Sequence, residues 1–144
     1  RGIFHFLNEH PEIKYLYGPV SISKYYSDLS RGFIIELLKR HYYNEALASM
    51  VKSRKEFRPI TGPFNYERTI RKMGSRLQDL DQLIQEIDPR YFKVPVLMRQ
   101  YIRQNAKFIG FNVDPNFSDA LDGFMILDLQ NVPTQTLESL RKIG

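Results

Sequence analysis

Apolar residues recur along the chain with two periods, one typical of helices and one typical of strands. Between residues 31 and 43, apolar side chains lie three and four positions apart, which predicts one buried face of a helix. Ser27 or Ser30 can cap this helix, because a serine hydroxyl accepts a hydrogen bond from a free N–H group of the first turn. A second, short helical segment is predicted over residues 44–51, before an irregular Pro- and Gly-rich connection at 57–65.

The most regular pattern lies between residues 66 and 87, where seven apolar residues are spaced alternately four and three positions apart. This heptad spacing predicts a single helix with a narrow apolar stripe. Such a stripe is compatible with a coiled coil, but Gly74 lowers the helix propensity in its middle. Packing of the stripe within its own domain is therefore the favoured interpretation.

Three segments have the composition of strands. The first, residues 13–23, contains Gly18 and Pro19, which lack a side chain and a backbone donor respectively. We expect an edge, a bulge or a splay at this point, where a ligand could approach the backbone. Residues 106–113 and 123–129 flank a group of turn-forming residues, and we predict that they pair as antiparallel strands.

Further helices are predicted over residues 94–104, beginning near Pro95, and over 133–143. Because helices are mixed with at least three strands, the sequence predicts an α/β fold. The chain has 144 residues, the length of one domain. It begins with Arg1 and an apolar run, so we expect residues 1–144 to be the C-terminal portion of a larger domain.

Composition narrows the classes of function. The absence of cysteine excludes disulfides, Cys-ligated zinc and thiol catalysis, and it favours a reducing, cytoplasmic compartment. No apolar run approaches the roughly 18 residues needed to span a membrane. Nucleic acid is not an expected partner, because most aromatic residues fall at core-like spacings and not among the basic residues.

The net charge is +5, and part of the excess lies in one short stretch. We call its four cationic residues the basic segment: Lys52, Arg54, Lys55 and Arg58. A solvated basic face is the simplest interpretation of this cluster. An acidic partner is the alternative.

The acidic stretch between the last two predicted strands matches a calcium-binding loop only in part. Asp114, Asn116 and Ser118 fit its first three ligand positions, but Asp119 and Met125 stand where the loop needs Gly and Glu. A turn between strands is favoured over a metal loop or a pair of catalytic carboxylates, and we expect no metal. The three histidines lack metal-site spacing, and no G-x-S-x-G, Walker or G-x-G-x-x-G motif is present.

Two segments resemble a known family. Residues 94–129, VPVLMRQYIRQNAKFIGFNVDPNFSDALDGFMILDL, are similar to the C-terminal signature of acyl-carrier-protein-dependent N-acyltransferases that make ornithine or glycine lipids, proteins often labelled hemolysins. Residues 15–23, YLYGPVSIS, resemble the Phe-Gly-Pro-Val-Ser-Ile strand of some members. The positions that match the family's helix are Pro95, Leu97, Arg99, Tyr101 and Arg103. Asp122 matches an Asp before an apolar strand, one residue later than in the family.

The resemblance implies a partial acetyltransferase-like (GNAT-like) layer with at least three strands, several helices and a long helical insertion. It also implies transfer of a 3-hydroxy fatty acyl group from acyl carrier protein to an amino acid amine in aminolipid synthesis. The donor would be acyl-phosphopantetheine, with no covalently bound cofactor. Such enzymes act chiefly by positioning and by backbone donors, so the catalytic residues stay unassigned, and residues 1–144 alone are expected to be inactive.

The resemblance further implies a set of substrate-binding residues: Gly18, Ser21, Arg99, Tyr101, Asn112 and Asp122. The basic segment would then contact the acidic carrier protein, or anionic headgroups at the inner face of the membrane. Two alternatives stay open, a non-catalytic binding module and a membrane-lytic hemolysin. A lytic helix needs a broad apolar face, which the narrow stripe over residues 66–87 does not offer.

Overall fold

The computed structural model describes residues 9–59, 65–88, 90, 93–114, 116 and 120–130. Its elements, in chain order, are β1 (Tyr15–Ile22), α1 (Asp28–His41), α2 (Glu45–Ala48), α3 (Tyr66–Met73), α4 (Leu77–Ile87), α5 (Val96–Arg103), β2 (Lys107–Asp114) and β3 (Ala120–Asp128). The predicted α/β class with three strands is confirmed. The apolar start of the chain and the helix predicted over 133–143 lie outside the described residues.

The three strands form one antiparallel sheet in the order β1-β3-β2. The predicted pairing of the last two strands is confirmed. β1 lies at an edge of this sheet, as its Pro19 requires, and its register with β3 runs through Gly18 and Pro19 without a bulge. The irregularity lies instead in β2, between Phe108 and Gly110.

Residues on β3 alternate between a buried face and a half-buried face. Leu121, Gly123, Met125 and Leu127 face the core. Gly123 is required for space, because a Cβ at this position would lie 2.9 Å from the ring of Phe108. Helices α1 to α5 lie between β1 and β2 in the chain, so the core is built from this face of the sheet and from the helical insertion.

α1 supplies the most deeply buried part of the insertion. Its N-cap is Ser27, whose hydroxyl accepts a hydrogen bond from the backbone N–H of Ser30, as the sequence predicts. The ring of Tyr66 on α3 occupies the space beside Gly32, where a Cβ would overlap it. The same ring packs edge-to-face on Phe33, with centroids 4.9 Å apart, so α1 and α3 are closely joined.

The prediction of one helix over residues 66–87 is wrong. α3 ends at Met73, and α4 begins at Leu77. Gly74 lies between them with φ +81°, a backbone conformation that glycine adopts at little cost and that stops a helix. The apolar stripe is nevertheless buried in the domain core on both helices, so the prediction that it packs within its own domain is confirmed.

Candidate functional site

Three of the predicted substrate-binding residues lie side by side across the sheet. Asp122 on β3 pairs with Ser21 on β1 and with Asn112 on β2. The Ser21 hydroxyl donates a hydrogen bond to the Asp122 carboxylate, with Oγ and Oδ1 2.6 Å apart. Residues paired directly across antiparallel strands project from the same face, so these side chains form one polar row. We call Ser21, Asp122 and Asn112 the sheet row.

The sheet row lies on the face opposite the core. Leu121 and Gly123, the neighbours of Asp122 on β3, are buried, whereas Asp122 itself and Asn112 are half-buried and Ser21 is exposed. The row is thus open to a ligand while its backbone is fixed by pairing on both sides of β3. Since it joins positions 101 residues apart in the sequence, local patterns alone could not have placed Ser21 beside Asp122.

Asp122 differs from the prediction in one respect. It was expected to border the last strand, but β3 begins at Ala120, so Asp122 lies inside the strand. Asp114 is the last residue of β2, and its carboxylate accepts a hydrogen bond of 2.9 Å from the backbone N–H of Asn116, as expected of a turn-forming residue. Asp119 lies outside the described residues.

Asn112 also connects the sheet row to the basic segment. Its side-chain oxygen accepts a hydrogen bond of 2.8 Å from the backbone N–H of Lys55. The carbonyl of Lys55 accepts another, of 2.9 Å, from the N–H of Val113. Glu56 forms an antiparallel bridge with Asn112, and Phe57 is only 8% exposed. The basic segment is therefore attached to the outer edge of β2, a connection that the sequence did not indicate.

A cleft of about 580 Å³ lies beside this attachment, and we call it the basic cleft. Four cationic side chains and two carboxylates line it: Arg31, Arg54, Lys55, Arg58, Asp28 and Glu56. Arg31 comes from α1 and is only 6% exposed. No local pattern indicated its position in the cleft, because it lies within the helix whose apolar stripe forms the core. Lys52 is exposed and does not line the cleft.

Two other predicted residues, Arg99 and Tyr101, lie on α5 and are not brought to the sheet row. The guanidinium of Arg99 forms an ion pair with Asp81 on α4 and is 22% exposed. Asp81 also accepts a hydrogen bond of 2.9 Å from the N–H of Val94, so this contact holds α5 against α4. Tyr101 is half-buried against the core. Their assignment to a substrate stays a prediction.

Gly18 lies on β1 opposite Met125 of β3, three pairs away from the sheet row. A Cβ built at this position would meet no atom within 4 Å. Glycine is therefore not required here by the packing of the described residues. Since Met125 faces the core, Gly18 lies on the side of the sheet opposite the sheet row, and the approach of a ligand to its backbone stays a prediction.

A buried carboxylate lies beside the N-cap of α1. Asp88 follows α4 and accepts hydrogen bonds from the backbone N–H groups of Arg90, 3.1 Å away, and Ser27, 3.4 Å away. Burial alone would raise the pKa of Asp88, but these hydrogen bonds, together with the Arg90 guanidinium, outweigh it and lower the pKa. Since Ser27 caps α1, Asp88 joins the start of α1 to the end of α4.

The phenol of Tyr26 lies near the same cluster. Its hydroxyl donates a hydrogen bond to the carbonyl of Lys93. Burial raises the pKa of Tyr26, and the charges of Asp81 and Asp88 raise it further. The phenol therefore stays protonated and keeps this hydrogen bond at neutral pH.

Within the ranges that the structure describes, no three His, Asp or Glu side chains are grouped so as to hold a metal ion. The helices of the described part are all too short or too polar to cross a membrane. No family model, curated protein or solved structure matches this chain. Functional inference therefore depends on the arrangement of the residues and on the resemblance of segments 15–23 and 94–129.

Proposed function

We propose that the chain is part of an acyltransferase that moves a 3-hydroxy fatty acyl group from acyl carrier protein to the amine of an amino acid. The sheet row is the observation that carries this proposal. Ser21 belongs to one of the two segments that resemble the family, and Asn112 and Asp122 belong to the other. The fold brings these segments together at a polar, accessible position on the sheet.

Asp122 is suited to bind the acceptor amine. One of its oxygens, Oδ1, accepts the hydrogen bond from Ser21, which fixes the orientation of the carboxylate. Its other oxygen has no hydrogen-bond partner among the described residues and is available to an N–H group of the acceptor. An amine held at this position is oriented for attack, and orientation is a large part of catalysis in reactions between two bound substrates.

The reaction itself requires little from side chains. The amine nitrogen forms a bond to the thioester carbonyl carbon, the carbon–sulfur bond breaks, and the pantetheine thiol leaves with a proton in place of the acyl group. An amide and a free thiol result, without any redox step. In this scheme Asp122 and Ser21 position the acceptor, and the residues that bind the carbonyl oxygen are unassigned.

The basic segment would serve the acyl donor. Within the described part of the chain, Arg54, Lys55 and Arg58 form no ion pair, and with Arg31 they outnumber the two carboxylates that line the same cleft. A surface with an excess of positive charge attracts an acidic carrier protein and accelerates its association. We place this encounter in the cytoplasm, with peripheral contact to an anionic membrane as the second proposed partner.

The hemolysin alternative receives less support from the structure. The stripe over residues 66–87 is divided between α3 and α4, and its buried positions pack into the domain core. A lytic helix would have to expose a broad apolar face to lipid.

The experiment that tests the proposal is direct detection of the product. The full-length protein that contains residues 1–144 is incubated with 3-hydroxyacyl carrier protein and either glycine or ornithine, and N-acyl amino acid is measured by mass spectrometry. We expect product that depends on both substrates. Absence of product with a range of acyl chain lengths and acceptor amino acids would contradict the proposal.

A further inference from the structure

A second cavity lies at the end of the sheet where β1 begins and β3 ends, and we call it the end cavity. Its volume is about 480 Å³, within the range of about 300–1,000 Å³ that is usual for pockets that bind small molecules. None of the described residues that line it belongs to the sheet row or to the basic segment. They are Tyr15, Asn44, Leu47, Asn105, Lys107, Ile126 and Asp128.

Four of these residues lie on one face of the sheet. Tyr15 on β1 pairs with Asp128 on β3, and Lys107 on β2 pairs with Ile126 on β3. Asp128 and Ile126 are half-buried and alternate with the buried Leu127, so all four side chains project from the face opposite the core. Backbone pairing thus fixes their positions at the wall of the end cavity.

Asn44 is held beside the start of β2 by two hydrogen bonds. Its backbone N–H donates to the carbonyl of Phe108, 3.0 Å away, and its side-chain oxygen accepts a hydrogen bond of 3.0 Å from the N–H of Leu47. The oxygen is therefore used in capping α2, and the orientation of the amide is fixed. The amide nitrogen, Nδ2, has no hydrogen-bond partner among the described residues, so its two N–H groups are available to a ligand.

Two further donors line the same cavity. The ammonium group of Lys107 lies 5.7 Å from the centre of the Tyr42 ring and forms no ion pair within the described part of the chain. Tyr15 is exposed, and its hydroxyl has no hydrogen-bond partner among the residues that the structure describes. An ammonium group, an amide N–H₂ group and a phenol are together suited to bind the two oxygens of a carboxylate.

The remaining lining residues limit the ligand further. Asp128 has the one carboxylate among the described lining residues, and its Oδ1 accepts a hydrogen bond of 2.9 Å from the N–H of Gln130. Its charge offsets that of Lys107, so the cavity favours an ion with a single negative charge over a phosphate dianion. Leu47 and Ile126 provide apolar surface for the body of the ligand.

We propose that the end cavity binds a small monocarboxylic acid in its ionised form. Lys107 and the Nδ2 group of Asn44 bind the carboxylate oxygens, and the hydroxyl of Tyr15 donates a third hydrogen bond. The apolar body of the acid packs against Leu47 and Ile126. This site needs neither the sheet row nor the basic segment, so it stands or falls independently of the proposed acyl transfer.

Three soluble probes test the chemistry of the ligand. Hexanoate, hexanamide and 6-aminohexanoate have the same chain length and differ in charge. Each is titrated into the full-length protein that contains residues 1–144, and binding is followed by ligand-observed NMR. We expect saturable binding of hexanoate and at least about fivefold weaker binding of hexanamide, because the charge-assisted hydrogen bonds to the carboxylate are lost.

Three results with these probes would overturn the inference. The first is no saturable binding of hexanoate, and the second is equal affinity for hexanoate and hexanamide. The third is tighter binding of 6-aminohexanoate than of hexanoate, because the site would then select a zwitterion and not a simple acid.

Two matched pairs of exposed residues locate the site. Lys107→Gln should weaken hexanoate binding at least about fivefold, whereas Lys24→Gln should not, although Lys24 also lies 5.7 Å from an aromatic ring, that of Tyr25. Tyr15→Phe removes only a hydroxyl and should weaken binding about two- to tenfold. Tyr17→Phe, on the same face but outside the cavity, should leave binding unchanged. Undiminished hexanoate binding by Lys107→Gln would overturn the inference.

Discussion

The hydroxyl of Ser21 donates a hydrogen bond of 2.6 Å to the carboxylate of Asp122, across two neighbouring strands. The two residues are direct partners in the register of β1 and β3, and Asn112 completes the row on β2. One carboxylate oxygen is thereby fixed, and the other faces no described partner. This relationship joins the two segments that resemble the acyltransferase family, and it gives the proposed acceptor site its geometry.

The interruption between α3 and α4 at Gly74 can be tested by asking whether Gly74→Ala raises or lowers the free energy of unfolding. If residues 66–87 formed a single helix, Gly74→Ala would stabilise the protein by about 1 kcal/mol, because alanine has the higher helix propensity. With φ at +81° the same substitution should destabilise it by about 1 kcal/mol. Urea denaturation of the two proteins measures the difference. A stabilised variant would favour the continuous helix.

Two glycines of the sheet provide a matched pair. Gly123→Ala would place a methyl group 2.9 Å from the ring of Phe108 and 3.3 Å from that of Phe111, so we expect a loss of about 1–3 kcal/mol of stability. Gly18→Ala should change stability by less than about 0.5 kcal/mol, because the added methyl meets no described atom. Thermal denaturation measures both, and equal losses would contradict the packing described around Gly123.

The Gly18 variant also tests a prediction made from the sequence. If a ligand approaches the backbone at Gly18, the methyl group of Gly18→Ala should weaken substrate binding while leaving stability nearly unchanged. Steady-state kinetics of acyl transfer would show this as a raised KM. Unchanged kinetics would remove Gly18 from the site.

Local patterns predicted much of the fold because the relevant contacts are close in sequence. Alternation and turn-forming residues predicted the pairing of β2 with β3, although β3 begins at Ala120 and not at Gly123. Of the two candidate caps of α1, Ser27 is the one observed. The heptad pattern was continuous across Gly74, and periodicity counts only apolar positions, so it could not show that the backbone turns there. The prediction that the apolar stripe is buried is confirmed, and the prediction of one continuous helix is wrong.

The candidate site was less predictable, because its contacts are long-range. The pairing of Ser21 with Asp122, the attachment of Lys55 to Asn112 and the approach of Arg31 to Arg58 all join distant parts of the chain. Resemblance singled out Ser21, Asn112 and Asp122 individually, and only the sheet register brings them together. Arg31 has no local signal, since a basic residue at the start of an amphipathic helix is usually solvated.

Stability at acidic pH should depend on Asp88. Its pKa in the folded protein lies below the ordinary value of 3.8, so the folded state favours the ionised form. The resulting stabilisation is complete above the pKa that Asp88 has in the unfolded chain. It is lost as the pH falls through the lower pKa that Asp88 has in the folded protein. Asp88→Asn should cost about 2 kcal/mol at pH 7, because hydrogen bonds to a charged acceptor are weakened, and the difference should shrink below about pH 4.

Denaturation at several pH values measures this dependence. The control is Asp79→Asn, which removes an acid paired with the exposed Arg76 and should cost less than about 1 kcal/mol. A constant difference between wild type and Asp88→Asn from pH 7 to pH 3 would contradict the role given to this carboxylate.

The contribution of the basic segment to donor encounter can be measured with variants of equal net charge. Lys52, Arg54, Lys55 and Arg58 are replaced by Gln in one variant, and four exposed basic residues of the α3–α4 region are replaced by Gln in the other: Arg68, Arg71, Lys72 and Arg76. We expect the first variant to associate several-fold more slowly with acyl carrier protein and to show a weaker dependence on salt. If the two variants showed equal association rates and equal salt dependence, association would depend on the net charge of the protein and not on the basic segment.

The most direct test of the sheet row compares two carboxylates of the same strand. Asp122 and Asp128 both lie on β3 and both project from the face opposite the core, but only Asp122 pairs with Ser21 and Asn112. The rate of N-acyl amino acid formation is measured for Asp122→Asn and Asp128→Asn in the full-length protein that contains residues 1–144, with stability checked by denaturation. We expect Asp122→Asn to lower the rate at least about tenfold at near-normal stability, and Asp128→Asn to retain it. Equal rates for the two variants would contradict the assignment of Asp122 to the acceptor site.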